Sequence, residues 1–134
     1  MIAGECTTLT SSALKWTKIS QAALVTPSTN TWVTDTLIEN SFVSTTILPK
    51  NLKPGNYVIR HEIIALHSAY DDNGAQAYPQ CLNFKIGGSG TVAPTAGVSG
   101  SSLYTRNDLG IKFNIYAGAT NYPYPGPPVW TGAN

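Results

Sequence analysis

The sequence predicts an all-β protein, a β-sandwich of immunoglobulin or fibronectin type with long loops. Three observations carry that expectation. Residues 14–19 (LKWTKI) alternate apolar with polar, the period of a half-buried strand. Residues 42–48 (FVSTTIL) are rich in β-branched side chains and stop at Pro49. Between such runs stand turn signals, and no helix of ordinary length shows in the periodicity.

The elements follow in order. Lys53-Pro54-Gly55-Asn56 reads as a turn, with proline presetting φ and glycine supplying a positive φ. A long strand is expected over 57–67, a polar loop over 68–74 closed by Asp-Asp-Asn-Gly, and a returning strand over 75–86. Residues 87–110 turn to Gly, Ser, Thr and Pro and predict a long surface loop. Residues 111–116 (IKFNIY) are expected to form a last strand. The tail 121–130 is proline-rich and predicts extended, polyproline-like chain. No repeat and no internal boundary interrupts the 134 residues, which suit one domain with a real core.

Composition narrows the chemistry. Charged residues make up 11% and the net charge is +1, so clustered Lys and Arg for phosphate are missing and nucleic acid is excluded as a partner. No apolar run approaches the roughly 20 residues that span a bilayer, so no membrane partner is expected. Hydroxyls and aromatics are plentiful, which fits a neutral, hydroxyl-rich ligand such as a polysaccharide. The first residues, MIAGECTTLTSS, lack the basic and long apolar regions of a signal peptide. Cys6 and Cys81 are the two cysteines; they pair with each other or each lacks a partner here.

The residues richest in chemistry lie between His61 and Cys81. On a strand, His61 and His67 share a face but stand roughly 20 Å apart, too far for one metal ion. His61 is read as a structural histidine. If the hairpin places His67 opposite Gln76, Ala65 lies opposite Tyr78 and all four share a face, with cross-strand neighbours about 5 Å apart. An imidazole, an amide and a phenol offer donors, acceptors and a possible metal ligand. A transition-metal site nevertheless usually takes three strong protein ligands, and spacing supplies no others. From spacing, a polar structural network and a functional cluster are equally good readings. Glu62 faces the other way and is expected to pair with Arg60 or a cross-strand base. Asp71 and Asp72 read as turn formers. A glycosidase needs two carboxylates about 5 to 10 Å apart, which this pattern does not suggest.

The stretches PGNYVIRHEIIALHS (54–68) and NGAQAYPQCLNF (73–84) resemble the fungal copper-dependent lytic polysaccharide monooxygenases of auxiliary activity family 9, formerly glycoside hydrolase family 61. WVTDTLI (32–38), GIKFNIY (110–116), PGPPVW (125–130) and GEC (4–6) followed by LKWTKI also match, so the resemblance covers essentially the whole chain. It implies a β-sandwich with a flat face for cellulose. It also implies one copper ion held by two histidines in a brace, the first of them N-terminal, with an axial tyrosine. The reaction implied is oxidative cleavage at C1 or C4 of a β-1,4-glucan, with O2 or H2O2 and an external electron donor, by a secreted, extracellular, monomeric enzyme. By motif, Tyr78 takes the axial copper position, His67 the histidine that hydrogen-bonds the oxygen species, and Gln76 the glutamine that positions it. Tyr116 takes the place of the tyrosine that stacks on sugar rings; from the residues, it is a strand-end aromatic used in packing.

The departure is large. Met1 is not the family's N-terminal histidine, and nothing matches the second brace histidine. The resemblance therefore implies the C-terminal part of a single catalytic domain over 1–134, incomplete at its N-terminal side, with the partner of Cys81 upstream and that of Cys6 falling near Ile2, where no cysteine stands. The expectation for this chain alone is weak copper binding and no cleavage of cellulose. Two other readings remain. One is a non-catalytic carbohydrate-binding module using Tyr116, Tyr122, Tyr124 and Trp130, although aromatics among prolines more often pack inward. The other is an adhesion-type sandwich without a ligand.

Overall fold

The structure is a computed structural model that describes residues 2–3 and 14–133. Among the described residues, seven strands fall into three small antiparallel sheets: β1 (Ile2–Ala3), β5 (Gly55–Ala65) and β6 (Gln76–Ile86) in the order β1-β5-β6; β2 (Lys15–Trp16) with β7 (Val98–Ser99); and β3 (Leu24–Thr26) with β4 (Thr31–Trp32). One short helix, α1 (Val33–Glu39), follows β4.

The β5–β6 hairpin organises the chain. Both strands run 11 residues. Val58, Ile59, Ile63 and Ile64 place apolar, β-branched side chains on both faces of β5, as suits a strand covered on both sides. Its first half is covered in that way. On one face Val58 joins Trp16 and Leu103, with Leu14, Val98 and Tyr104 around them. On the other, Tyr57 joins Leu52, flanked by Ile19, Ile59, Ile86 and Trp130. Tyr57 is 1% exposed, and its hydroxyl donates to the Lys53 carbonyl at 2.7 Å. Pro79 lies inside β6. A proline is tolerated there because, among the described residues, β6 is the outer strand of its sheet, where a missing N–H can fall on the unpaired side.

Several expectations need correction. The strand over 57–67 is Gly55–Ala65, and the return over 75–86 is Gln76–Ile86. The proposed register is also wrong. Ala65, not His67, stands opposite Gln76, and Ile63, not Ala65, stands opposite Tyr78. The slip is two residues, so the faces are unchanged, but His67 leaves the ladder for the turn. The turn needs those residues: Ala69 N–H donates to Leu66, Asp71 N–H to Ser68 and Gly74 N–H to Asp71. Asn73 supplies the left-handed step, with φ 60°. A Cβ at Gly74 would meet the Ser68 carbonyl oxygen at 1.7 Å, so the turn closes too tightly for any other residue.

The strand expected over 42–48 is absent. Phe42, Val43 and Ile47 are 75%, 57% and 87% exposed, and the segment joins no described ladder. β-Branched residues favour a pleated surface that is half covered, and nothing described covers this one. Of residues 14–19, two form a strand, β2. Residues 111–116 alternate half-covered with exposed side chains as a strand would, yet form turns instead. Ile111 and Lys112 N–H both donate to the Asp108 carbonyl, and the Asn114 side chain accepts from Tyr116 N–H at 2.9 Å, curling the backbone out of ladder geometry. The 87–110 loop is largely as expected, apart from β7 and a 3-10 turn at Gly100–Ser102.

The tail joins no strand or helix and is held by the core. Trp130 N–H donates to the Lys18 carbonyl at 2.8 Å, and the Lys18 ammonium donates to the Pro125 carbonyl at 2.7 Å. Burial lowers the Lys18 pKa. Tyr122 sits edge-on to Trp32, Phe113 and Tyr124, with ring centroids 5.7, 5.1 and 5.5 Å away. Its hydroxyl donates to the Gly110 carbonyl, and burial pushes its pKa up to about 12.

Candidate functional site

Three elements carry the four candidate residues: β6, the turn after β5 and the 111–116 segment. β6 presents Gln76 and Tyr78 on the sheet face shared with Ala65 and Ile63. The Tyr78 hydroxyl donates to Gln76 Oε1 at 2.5 Å, an intrastrand i, i+2 contact on one face. Tyr78 is 55% exposed, so phenol and amide are open to solvent. The hydrogen bond sets the amide: its oxygen is engaged and its NH2 group is left to donate outward.

The turn after β5 carries His67, whose side chain is exposed. The structure thus joins Gln76 to Tyr78 by a hydrogen bond, while His67 enters from the adjoining turn rather than from across the ladder. Tyr116 comes from the curled segment after Asp108 and is 68% exposed. Its hydroxyl donates to the His67 carbonyl at 3.3 Å, so it is linked to the same turn.

That turn and the 111–116 segment form one surface. Phe113 N–H donates to the Ala69 carbonyl at 2.9 Å, and Ala69 is fully buried beneath the contact. The Lys112 ammonium meets Asp72 at 2.5 Å. Asp72 is therefore a tether as well as a turn former, a role its sequence context did not reveal. Tyr70, read only as part of a polar loop, lies with its ring centroid 6.2 Å from that of Tyr116 at 61°. The signal for it was a tyrosine among turn residues, three positions past His67.

The opposite face of β5 holds an ionic network. Arg60 donates two hydrogen bonds to Glu62, which also accepts from the Tyr104 hydroxyl. The expected Arg60–Glu62 pair is thus present. Burial works against the Arg60 charge, but the Glu62 carboxylate outweighs it and the Arg60 pKa is raised. Burial first, then the bond to Glu62, pushes Tyr104 up to about 12. The guanidinium also lies 6.0 Å over the Trp16 ring. This network fastens β5 to the 100–104 segment and faces away from Gln76 and Tyr78.

His61 stands opposite Gln80 on β6 and is exposed. Cys81 is a free, exposed thiol, while Cys6 lies outside the described residues. Among the described residues no three His, Cys, Asp or Glu side chains gather where a metal ion would sit. None of their helices is long and apolar enough to cross a membrane.

The chain is similar to proteins of one known family. The chain is 55% identical over 129 residues to AA9 family lytic polysaccharide monooxygenase F of Emericella nidulans, covering 96% of this chain and 51% of the relative. It is 50% identical over 133 residues to AA9 family lytic polysaccharide monooxygenase I of Botryotinia fuckeliana, covering 97% and 49%. The chain thus spans about half the length of these relatives. Among solved structures, Cel61B from Hypocrea jecorina, a glycoside hydrolase family 61 member, superposes with TM-score 0.89 at 43% identity, over 96% of this chain and 56% of that one. The extended catalytic domain of H. jecorina LPMO9A gives 0.90 at 45%, over 99% and 54%. These structures are β-sandwiches, so the expected fold class stands. The model of Auxiliary Activity family 9 (formerly GH61) matches residues 1–124, and the chain belongs to that family.

Proposed function

We propose that residues 1–134 are the C-terminal part of a single catalytic domain. That domain cleaves cellulose or a related β-1,4-glucan by oxidation at C1, C4 or both. The observation that carries the reading is the exposed Tyr78–Gln76 hydrogen bond on β6 beside the turn that holds His67 and supports Tyr116. The family is copper-dependent and its members are oxidoreductases. The described residues do not compose a copper site by themselves, because one imidazole and one phenol fall short of three strong ligands. Tyr78 is the side chain this chain would offer to the metal, and the brace histidines are not among its residues.

The chain's own contribution is positioning. Tyr116 presents an exposed ring for the face of a sugar. Gln76, its oxygen held by Tyr78, directs an N–H outward, and the exposed His67 ring in the turn after β5 can donate or accept a hydrogen bond. The working protein is proposed to be a secreted monomer that takes electrons from an external donor.

The test is the native protein's N-terminus, together with its products on cellulose given copper and a reductant. A native chain that begins with histidine and releases oxidised oligosaccharides supports the reading. In it, His67→Ala or Gln76→Leu should lower the oxidation rate by about 100-fold, the scale of losing a positioned imidazole or a positioned hydrogen-bond donor. Chain 1–134 alone should bind copper weakly, and tight one-to-one binding by isothermal titration would overturn that expectation. The second reading, a non-catalytic carbohydrate-binding sandwich, is favoured by the exposed aromatic pair Tyr70 and Tyr116. It predicts cellulose pull-down without oxidised product.

A further inference from the structure

We propose that Tyr70 is a positioning residue for glucan binding: its ring braces Tyr116 at a fixed tilt, so that Tyr116 meets the sugar already ordered. The inference rests on the proposed role of Tyr116 as a stacking surface.

Tyr116 is 68% exposed and lies on no strand or helix. An exposed ring of this kind would sample several rotamers, and freezing a side chain on binding costs about 0.5–1.5 kcal/mol. Two contacts restrain it before any ligand arrives. Its hydroxyl is tied to the His67 carbonyl at 3.3 Å, and its ring meets the Tyr70 ring in an edge-to-face contact at 6.2 Å and 61°. Both come from the same turn.

That turn is a firm support. Ala69 beneath it is fully buried and accepts the Phe113 N–H, Asp72 holds Lys112, and Gly74 closes the turn against Ser68. The 61° angle also separates the two roles, because the rings cannot both lie flat on one sugar plane. One ring stacks and the other steadies it. Tyr70 is 48% exposed and meets Tyr116 ring to ring in a T-shaped contact.

The experiment is titration of chain 1–134 with cellohexaose, read by affinity and by the ring proton resonances of Tyr116. Tyr70→Ala should weaken binding about three- to tenfold, the fold-change of losing one pre-ordered side chain. It should also move the Tyr116 ring resonances in the free protein. Tyr70→Phe should bind like the wild type. Tyr70→Ala in a Tyr116→Ala background should have no further effect. If Tyr70→Ala folds poorly, Tyr70→Leu is read with the same expectations. Wild-type affinity in Tyr70→Ala, alongside a loss in Tyr116→Ala, overturns the bracing role and leaves the stacking reading intact. Equal losses in Tyr70→Phe and Tyr70→Ala also overturn it, since the hydroxyl would then be acting. A wild-type chain that binds cellohexaose no better than Tyr116→Ala overturns the stacking role and this inference together.

Discussion

β5 and β6 share a ladder of eleven residue pairs and differ in almost everything else. Along β5, Tyr57 and Val58 are buried and most of the rest is half-covered; along β6 every residue but Ile86 is exposed. One cross-strand pair shows the contrast: Tyr57 is 1% exposed, while Phe84 opposite it is 43% exposed. Pairing satisfies the backbone groups that the two strands turn towards each other, but only a second layer removes side chains from water, and Leu52, Trp16, Leu103 and Trp130 supply that layer to β5. The strand that packs therefore anchors the chain, and the strand that does not is left to present Gln76 and Tyr78.

Substitution should make this contrast measurable. The largest effect is expected at Tyr57. Tyr57→Ala should lower stability by about 3–5 kcal/mol in denaturant melts, since it empties a filled site. Phe84→Ala, on the facing strand, should change it by less than about 1 kcal/mol. Equal losses at the two positions would mean that β6 is covered after all.

Next comes the ionic face of β5. Glu62→Ala leaves the half-buried Arg60 unpaired and Tyr104 without its acceptor. The expected loss is about 1–3 kcal/mol, and the β6 substitutions Leu82→Lys and Lys85→Ala have no counterpart to it. Glu62→Ala should leave cellohexaose affinity unchanged, because the network lies on the far side of the sheet.

A pH series sharpens the same point. The Tyr104 phenol is pushed up to about 12 in the fold, chiefly by burial, while an unfolded tyrosine titrates near 10. A raised pKa gives stability that is whole below pH 10 and lost as pH climbs from about 10 towards 12. Tyr104→Phe should lose less stability than the wild type across that window, and phenolate absorbance should show one fewer late-titrating tyrosine.

The smallest effect is expected at Leu82, 51% exposed on β6. Leu82→Lys should shift stability by less than about 0.5 kcal/mol. It should also reduce self-association, because a long outer strand with exposed Tyr78, Leu82 and Phe84 is a template for edge pairing, and charge blunts it. Unchanged association in light scattering would show that this edge is already protected.

The hairpin, its polar turn, the Arg60–Glu62 pair and the packing of Tyr122 and Trp130 in the tail were all legible in the residues. Each rests on local pattern: β-branched runs, Asp-Asp-Asn-Gly, an i, i+2 charge pair, and large rings between prolines. The family was legible too, because 54–68 and 73–84 are long, specific strings. Tertiary structure alone decided the register, since a hairpin slipped by two residues keeps the same faces and the turn's own hydrogen bonds settle how many residues leave the ladder. It decided that 42–48 and 111–116 are not strands, because strand propensity is a demand for neighbours that a string of letters cannot supply. It also brought Tyr70 to Tyr116 across 46 positions of sequence, through Phe113 on Ala69 and Lys112 on Asp72, contacts that no local pattern encodes.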